Sequence, residues 1–167
     1  LAISGGLSPE RLQAQGKVID AINDEADGFH ILKGSEVDIL KNGELDFPDP
    51  VLKDLDVVIA SVHSHFKLEP GQQTERIIEA AKNEHVDIIG HLTGRLLSRR
   101  SGYEIAVDDI IEVCARCDTA LEINSHPDRL DIDGNIARKA KERGVKVAIN
   151  SDAHHKKDLD LIKYGVI

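Results

Sequence analysis

The chain has 167 residues, of which 41% are hydrophobic and 31% charged, and a formal net charge of −9. That length suits one domain with a proper core. The acidic balance argues against a free-standing nucleic-acid binder, which carries a basic face, and no apolar run reaches the ~20 residues that span a bilayer.

Along the chain, strand-like and helix-like segments alternate. The opening "LAISGGLSPE" lacks the basic start and long apolar stretch of a signal peptide, so a cytoplasmic location is expected. Met is absent, so the sequence reads as a processed piece or as a fragment whose beginning lies upstream. "LSPERLQAQGKVIDAINDEA" predicts a helix with Ser8 as N-cap and Pro9 at its first position. A strand is expected from about Phe29 to Val37, then a loop and short helix in "LDFPDPVLKDL", then the apolar strand "DVVIASVHS". "PGQQTERIIEAAKNE" reads as a helix, "VDIIGHL" as the third strand, and "YEIAVDDIIEVCARC" as another helix. "TALEINSHP" is the fourth strand, "DGNIARKAKERG" a helix and "VKVAINSDAH" the fifth strand, while "KDLDLIKYGVI" starts one more helix.

Strands that are apolar on both faces and separated by helices imply an α/β fold with a parallel sheet. The choice lies between an open doubly wound sheet and a β/α barrel. A nucleotide-binding doubly wound sheet would usually show a Gly-rich phosphate loop after an early strand, and none appears.

The strand ends carry the chemistry. The first strand runs into Glu36, the second into His63 and His65, and the third into His91. The fourth runs into Glu122, Asn124 and His126, and the fifth into Asp152, His154 and His155. In β/α barrels the active site lies on the face where strands end. Imidazoles and carboxylates gathered there are ligands for Zn²⁺, Mn²⁺ or Fe²⁺. A lone His at a strand end is an ordinary loop residue, but Glu36, His63, His91, Asp152 and His154 at equivalent positions together predict a shared metal site. His30 and His85 read as structural. Cys114 and Cys117 form a C-x-x-C without a second pair, and their helical spacing puts both thiols in a buried stripe. In "GHLTGRLLSRRSG", Arg95, Arg99 and Arg100 offer guanidinium groups beside the site, with Arg95 the favoured phosphate contact.

With "GSEVDIL", "ASVHSHF", "GHLTGRLL", "EINSHPDRLD" and "NSDAH" in this order, the chain resembles the polymerase and histidinol phosphatase (PHP) domain. The likeness is to the version found at the C-terminal end of bacterial and archaeal family X DNA polymerases, and it covers residues 1–167 as one partial metal-dependent phosphoesterase domain. It implies a distorted, TIM-like barrel of about seven strands, here incomplete with about five parallel ones, around a trinuclear metal centre. Glu36 would bridge two metals, His63 and His91 would bind one of them, Asp152 the other and His154 the third. The family's opening H-x-H and its Asp-His motif are missing, so four of the usual ligands are absent, as is the nucleotidyltransferase portion. Leu92 stands where Pro is more usual.

The activity implied is metal-assisted phosphodiester hydrolysis, as a manganese-favouring 3′–5′ exonuclease serving DNA repair, with DNA 3′ ends as substrate and the nucleotidyltransferase portion of a parent polymerase as partner. The rivals are a small-molecule phosphatase of the histidinol phosphate type and a non-catalytic scaffold. With two barrel strands missing, open sheet edges would favour a homodimer.

Overall fold

The computed structural model describes residues 6–166; residues 1–5, which hold half of the segment read against a signal peptide, and Ile167 lie outside it. Helix α1 (Pro9–Glu25) begins as expected, with the Ser8 hydroxyl accepting from the Arg11 amide. Strands β1 (Gly34–Asp38), β2 (Val57–Ser61), β3 (Ile88–Ile89), β4 (Ala120–Asn124) and β5 (Val147–Asn150) form one sheet. Between them run α2 (Asp49–Leu52), α3 (Pro70–Ala81), α4 (Val107–Cys117) and α5 (Gly134–Glu142), and a 3₁₀ segment (Lys156–Tyr164) follows β5.

All four strand pairings are parallel, and the strands lie side by side in chain order. That order separates the two candidate architectures. A doubly wound sheet reverses direction partway, whereas a sheet that keeps adding strands on the same side is the wall of a β/α barrel. The wall does not close, and β1 and β5 are its edges. One face is dry: Val37, Val58, Ala60, Ile89 and Leu121 are buried there against α3 and α4 residues such as Ile77, Ala80, Ile110 and Ile111. The register places Glu36 beside Ile59 and Glu122 beside Ala148, on the opposite face.

Several boundaries differ from the sequence reading. The first strand starts at Gly34 because Ile31 gives its backbone to Asn23 of α1. Asn23 donates to Ile31 O and accepts from Ile31 N, both at 2.8 Å, in place of a ladder. Helix α4 starts at Val107 rather than Tyr103, after an extended stretch whose Ala106 amide is capped by Thr74 Oγ1 at 2.9 Å. The paired cysteines part company: Cys114 is buried and its thiol is pushed up to about 12 by desolvation, whereas Cys117, in the last turn, is exposed. The tail winds as a 3₁₀ rather than an α-helix. No helix among the described residues is long and apolar enough to cross a membrane.

Candidate metal centre

A parallel strand alternates its side chains, so Glu36 and Asp38 leave β1 on the same face, two residues apart. His63 follows β2 and meets both of them. Its Nδ1 lies 2.6 Å from Asp38 Oδ1 and its Nε2 lies 3.3 Å from Glu36 Oε1. His91 follows β3 and brings Nδ1 to 3.6 Å from the same Glu36 oxygen. The two rings sit 5.1 Å apart, centroid to centroid.

One carboxylate oxygen and two imidazole nitrogens thus lie within 4.8 Å of one another. Their spacing suits a cation. Ligand atoms bonded at ~2.1 Å in a tetrahedral shell are roughly 3.4 Å apart, against the 3.3 and 3.6 Å found here. The donor set, mixed imidazole and carboxylate, is one that divalent transition metals accept.

Neighbouring groups fix these donors. Asp38 orients His63 from behind, the carboxylate–histidine arrangement that leaves the other ring nitrogen for a metal. Glu122, buried in the middle of β4, accepts from the His91 amide at 2.5 Å and from Asn150 Nδ2 at 3.1 Å. Arg76 of α3, a fully buried cation, donates to Leu40 O, Ser64 O and Ile39 O, tying together the loops that follow β1 and β2. Burial opposes ionisation of Glu36, but the hydrogen bond with His63 and the charges of His91 and His63 outweigh it and bring its carboxyl down to about 2. The Glu36 hydrogen bond raises His63, partial burial opposes that, and Asp38 adds to the rise.

Asp152 and His154 stand across a cleft of about 530 Å³ that Glu36, Glu122, Asn150 and Ile162 also line. Asp152 Oδ2 accepts from Asn124 at 3.0 Å and lies 3.7 Å from Arg129 Nε. His154 is largely exposed, its Nδ1 2.8 Å from the Asp152 carbonyl oxygen. Three of the five residues expected at the site therefore form one tight cluster, and the other two line the cleft beside Glu36 from the loop after β5.

Arg95 is placed differently from the sequence reading. Its Nε donates to Arg129 O at 3.0 Å and its Nη2 to Leu130 O, so it braces the turn after β4. Arg129, on that turn, keeps Nη1 buried with no hydrogen-bond partner among the described residues. Arg99 pairs with Asp128 at 3.4 Å, and Arg100 stacks over Phe66 with its Nε given to Gly94 O.

Sequence reasoning assigned no role to Asp38, Arg76, Arg129, Asp131 or Asn150, and noted Glu122 only as a strand-end carboxylate. Asp38 carried a usable signal, being two residues beyond Glu36 on a strand. Arg76 and Asp131 carried none, because their partners are more than 30 residues away or lie across a loop.

No protein-family model matches the chain. It is 49% identical over 166 residues to "DNA polymerase/3'-5' exonuclease PolX" of Bacillus subtilis (strain 168), a match covering 99% of this chain and 29% of the polymerase. It is 39% identical over 147 residues to a "Probable phosphatase" of Thermoanaerobacter sp. (strain X514), covering 81% of this chain and 57% of that protein. A "Probable phosphatase" of Clostridium acetobutylicum is 34% identical over 134 residues, with 74% of this chain and 52% of that protein covered. The chain thus spans under a third of the polymerase and little more than half of the two phosphatases.

Proposed function

This chain belongs to the PHP domain family, and from that membership we propose that it hydrolyses phosphodiesters at a divalent-metal centre built on Glu36, His63 and His91. The observation that carries the reading is the convergence of these three donors from three successive strands at ligand-to-ligand spacing. A divalent cation there supplies Lewis-acid polarisation of a phosphoryl group and acidifies water.

The chain's own residues do the rest. Asp38 holds His63 so that Nε2 faces Glu36, and the low-lying Glu36 carboxyl presents a negative charge at any neutral pH. Asp152 and His154 extend the donor set across the cleft, as a second and third metal of a trinuclear centre would require. Arg129, whose Nε lies 3.7 Å from Asp152 Oδ2, is the cation we favour as the contact for a phosphate oxygen. Arg95 contributes by fixing the turn on which Arg129 stands.

The DNA 3′ end is the substrate we favour over a phosphomonoester, because identity to the polymerase/exonuclease is higher and spans nearly all of this chain. Manganese is the metal we favour, and the nucleotidyltransferase portion of a polymerase the partner. The test is to load the chain with Mn²⁺ and follow a 3′-labelled DNA oligonucleotide beside p-nitrophenyl phosphate, in parent and His63→Ala. Release of mononucleotides from DNA by the parent alone is expected. Hydrolysis of the monoester only would assign the chain to the phosphatase reading instead, and no Mn²⁺ binding by the parent would refute the centre.

A further inference from the structure

His91 and Asp131 each keep a buried polar atom without a partner. Among the described residues, His91 Nε2 and Asp131 Oδ1 find no hydrogen bond, although both side chains are almost wholly buried. One is the nitrogen of an imidazole, able to carry a proton; the other is a carboxylate oxygen, able only to accept one when ionised. Leaving either unmade is costly, and native interiors pair nearly all such groups.

The two belong to one small region. The Thr93 amide, two residues beyond His91, donates to Asp131 Oδ2 at 3.2 Å, which seats the carboxylate against the loop that carries the imidazole. Burial pushes the Asp131 carboxyl up, while the Thr93 amide and the neighbouring His91 charge pull it back down. On the other side of the ring, His91 Nδ1 faces Glu36 Oε1 and Glu122 Oε2, each at 3.6 Å. His63 already shows the complete version of this pattern, with Asp38 at 2.6 Å behind one nitrogen and Glu36 before the other. The two rings use opposite atoms: His63 shows Nε2 to Glu36, His91 shows Nδ1.

We infer that Asp131 is the positioning residue of His91: its carboxylate takes the Nε2–H of that ring, with at most one water between, and so leaves the Nδ1 lone pair facing Glu36. The role rests on the metal-centre reading above. It assigns each imidazole of the cluster its own carboxylate, Asp38 from β1 for His63 and Asp131 from the turn after β4 for His91. A carboxylate in that position fixes the tautomer and raises the basicity of the ligand atom.

The experiment uses ¹⁵N imidazole shifts of the metal-free chain, with His91 assigned by its loss in His91→Ala, together with Mn²⁺ affinity by calorimetry. In the parent the His91 proton is expected on Nε2. In Asp131→Asn, which still offers Thr93 an acceptor, the ring should become a mixture of tautomers and Mn²⁺ should bind 10–100-fold more weakly. A merely structural tether through Thr93 would leave both readouts unchanged. Parent-like tautomer and affinity in Asp131→Asn, where His91→Ala loses the metal, overturn the inference alone. Unchanged Mn²⁺ binding in His91→Ala overturns the metal reading itself. Should the variant not fold, the parent spectrum decides, since a His91 proton on Nδ1 contradicts the assignment.

Discussion

Replacing Arg76 with Met tests whether one buried guanidinium holds the metal-binding loops in place. Arg76 is 1% exposed and gives Nε to Leu40 O at 3.1 Å, Nη1 to Ser64 O at 3.0 Å and Nη2 to Ile39 O. Gly43, at φ +88°, lets the loop after β1 come so close to α3 that a Cβ there would sit 2.9 Å from Arg76 O. Methionine fills much of the volume but leaves Ile39 O and Ser64 O unsatisfied at about 1–3 kcal/mol each, while Leu40 O keeps the Gly43 amide at 3.0 Å. Relief from burying a charge offsets part of that, so the net loss should be about 2–4 kcal/mol. At roughly 2–4 °C per kcal/mol for a chain of this size, Tm should fall by about 4–16 °C. Mn²⁺ affinity should fall as well, since Asp38 precedes two of those carbonyls and His63 adjoins the third. Arg76→Lys should recover only part, because an ammonium cannot reproduce the planar fork. Thermal melting by circular dichroism and calorimetric Mn²⁺ titration measure both. A Tm within about 2 °C of the parent, with unchanged Mn²⁺ affinity, would refute the argument that this fork braces the site.

Three further outcomes are expected. Asp38→Asn should weaken Mn²⁺ binding by about 10–100-fold with little change in Tm, because it removes the charge behind His63 and leaves the fold intact; parent-like affinity would show that the 2.6 Å contact is dispensable. In the metal-free chain, stability should change with pH on two sides. Glu36, lowered to about 2, contributes stability above its unfolded value of ~4.3 that is lost as pH falls toward 2. His63, raised, contributes stability below ~6.5 that is lost as pH climbs through its folded value. Urea midpoints between pH 3 and 9 should therefore peak between these limits in the parent and flatten in Glu36→Gln. Mn²⁺ affinity should run the other way, rising with pH as His63 gives up its proton.

Much of this was legible in the residues. The alternation of apolar runs with helical stretches gave a parallel α/β sheet, because a strand covered on both faces must be apolar throughout. The apolar runs gave His63 and His91, which do follow their strands, and pointed to Glu36, which the structure places in the middle of β1 rather than at its end. Boundaries set by side chains far away were not legible: Asn23 takes the backbone of Ile31, and Thr74 caps Ala106. The outward turn of Cys117 was missed because helical spacing fixes a face only to within part of a turn, and Cys117 is the last residue of α4.

What the sequence determined by itself is which groups could meet: donors at the C-terminal ends of successive strands, carried there by the period of the chain. How each donor is held follows instead from long-range packing. Asp131 is an ordinary carboxylate in the sequence, as are many of the 30 acidic residues, and nothing local pairs Asp38 with His63 or Glu122 with the His91 amide. Arg95 and Arg129 both stand in loops that follow strands, yet one is tied to carbonyls and the other keeps Nη1 without a partner among the described residues. A hydrogen bond depends on tenths of an ångström and on which lone pair is already taken, and these are set by the packing of β1, β3, α3 and the turn after β4 against one another. Local sequence carries the residue to the right strand end, and the three-dimensional contacts settle which of its atoms is left to act.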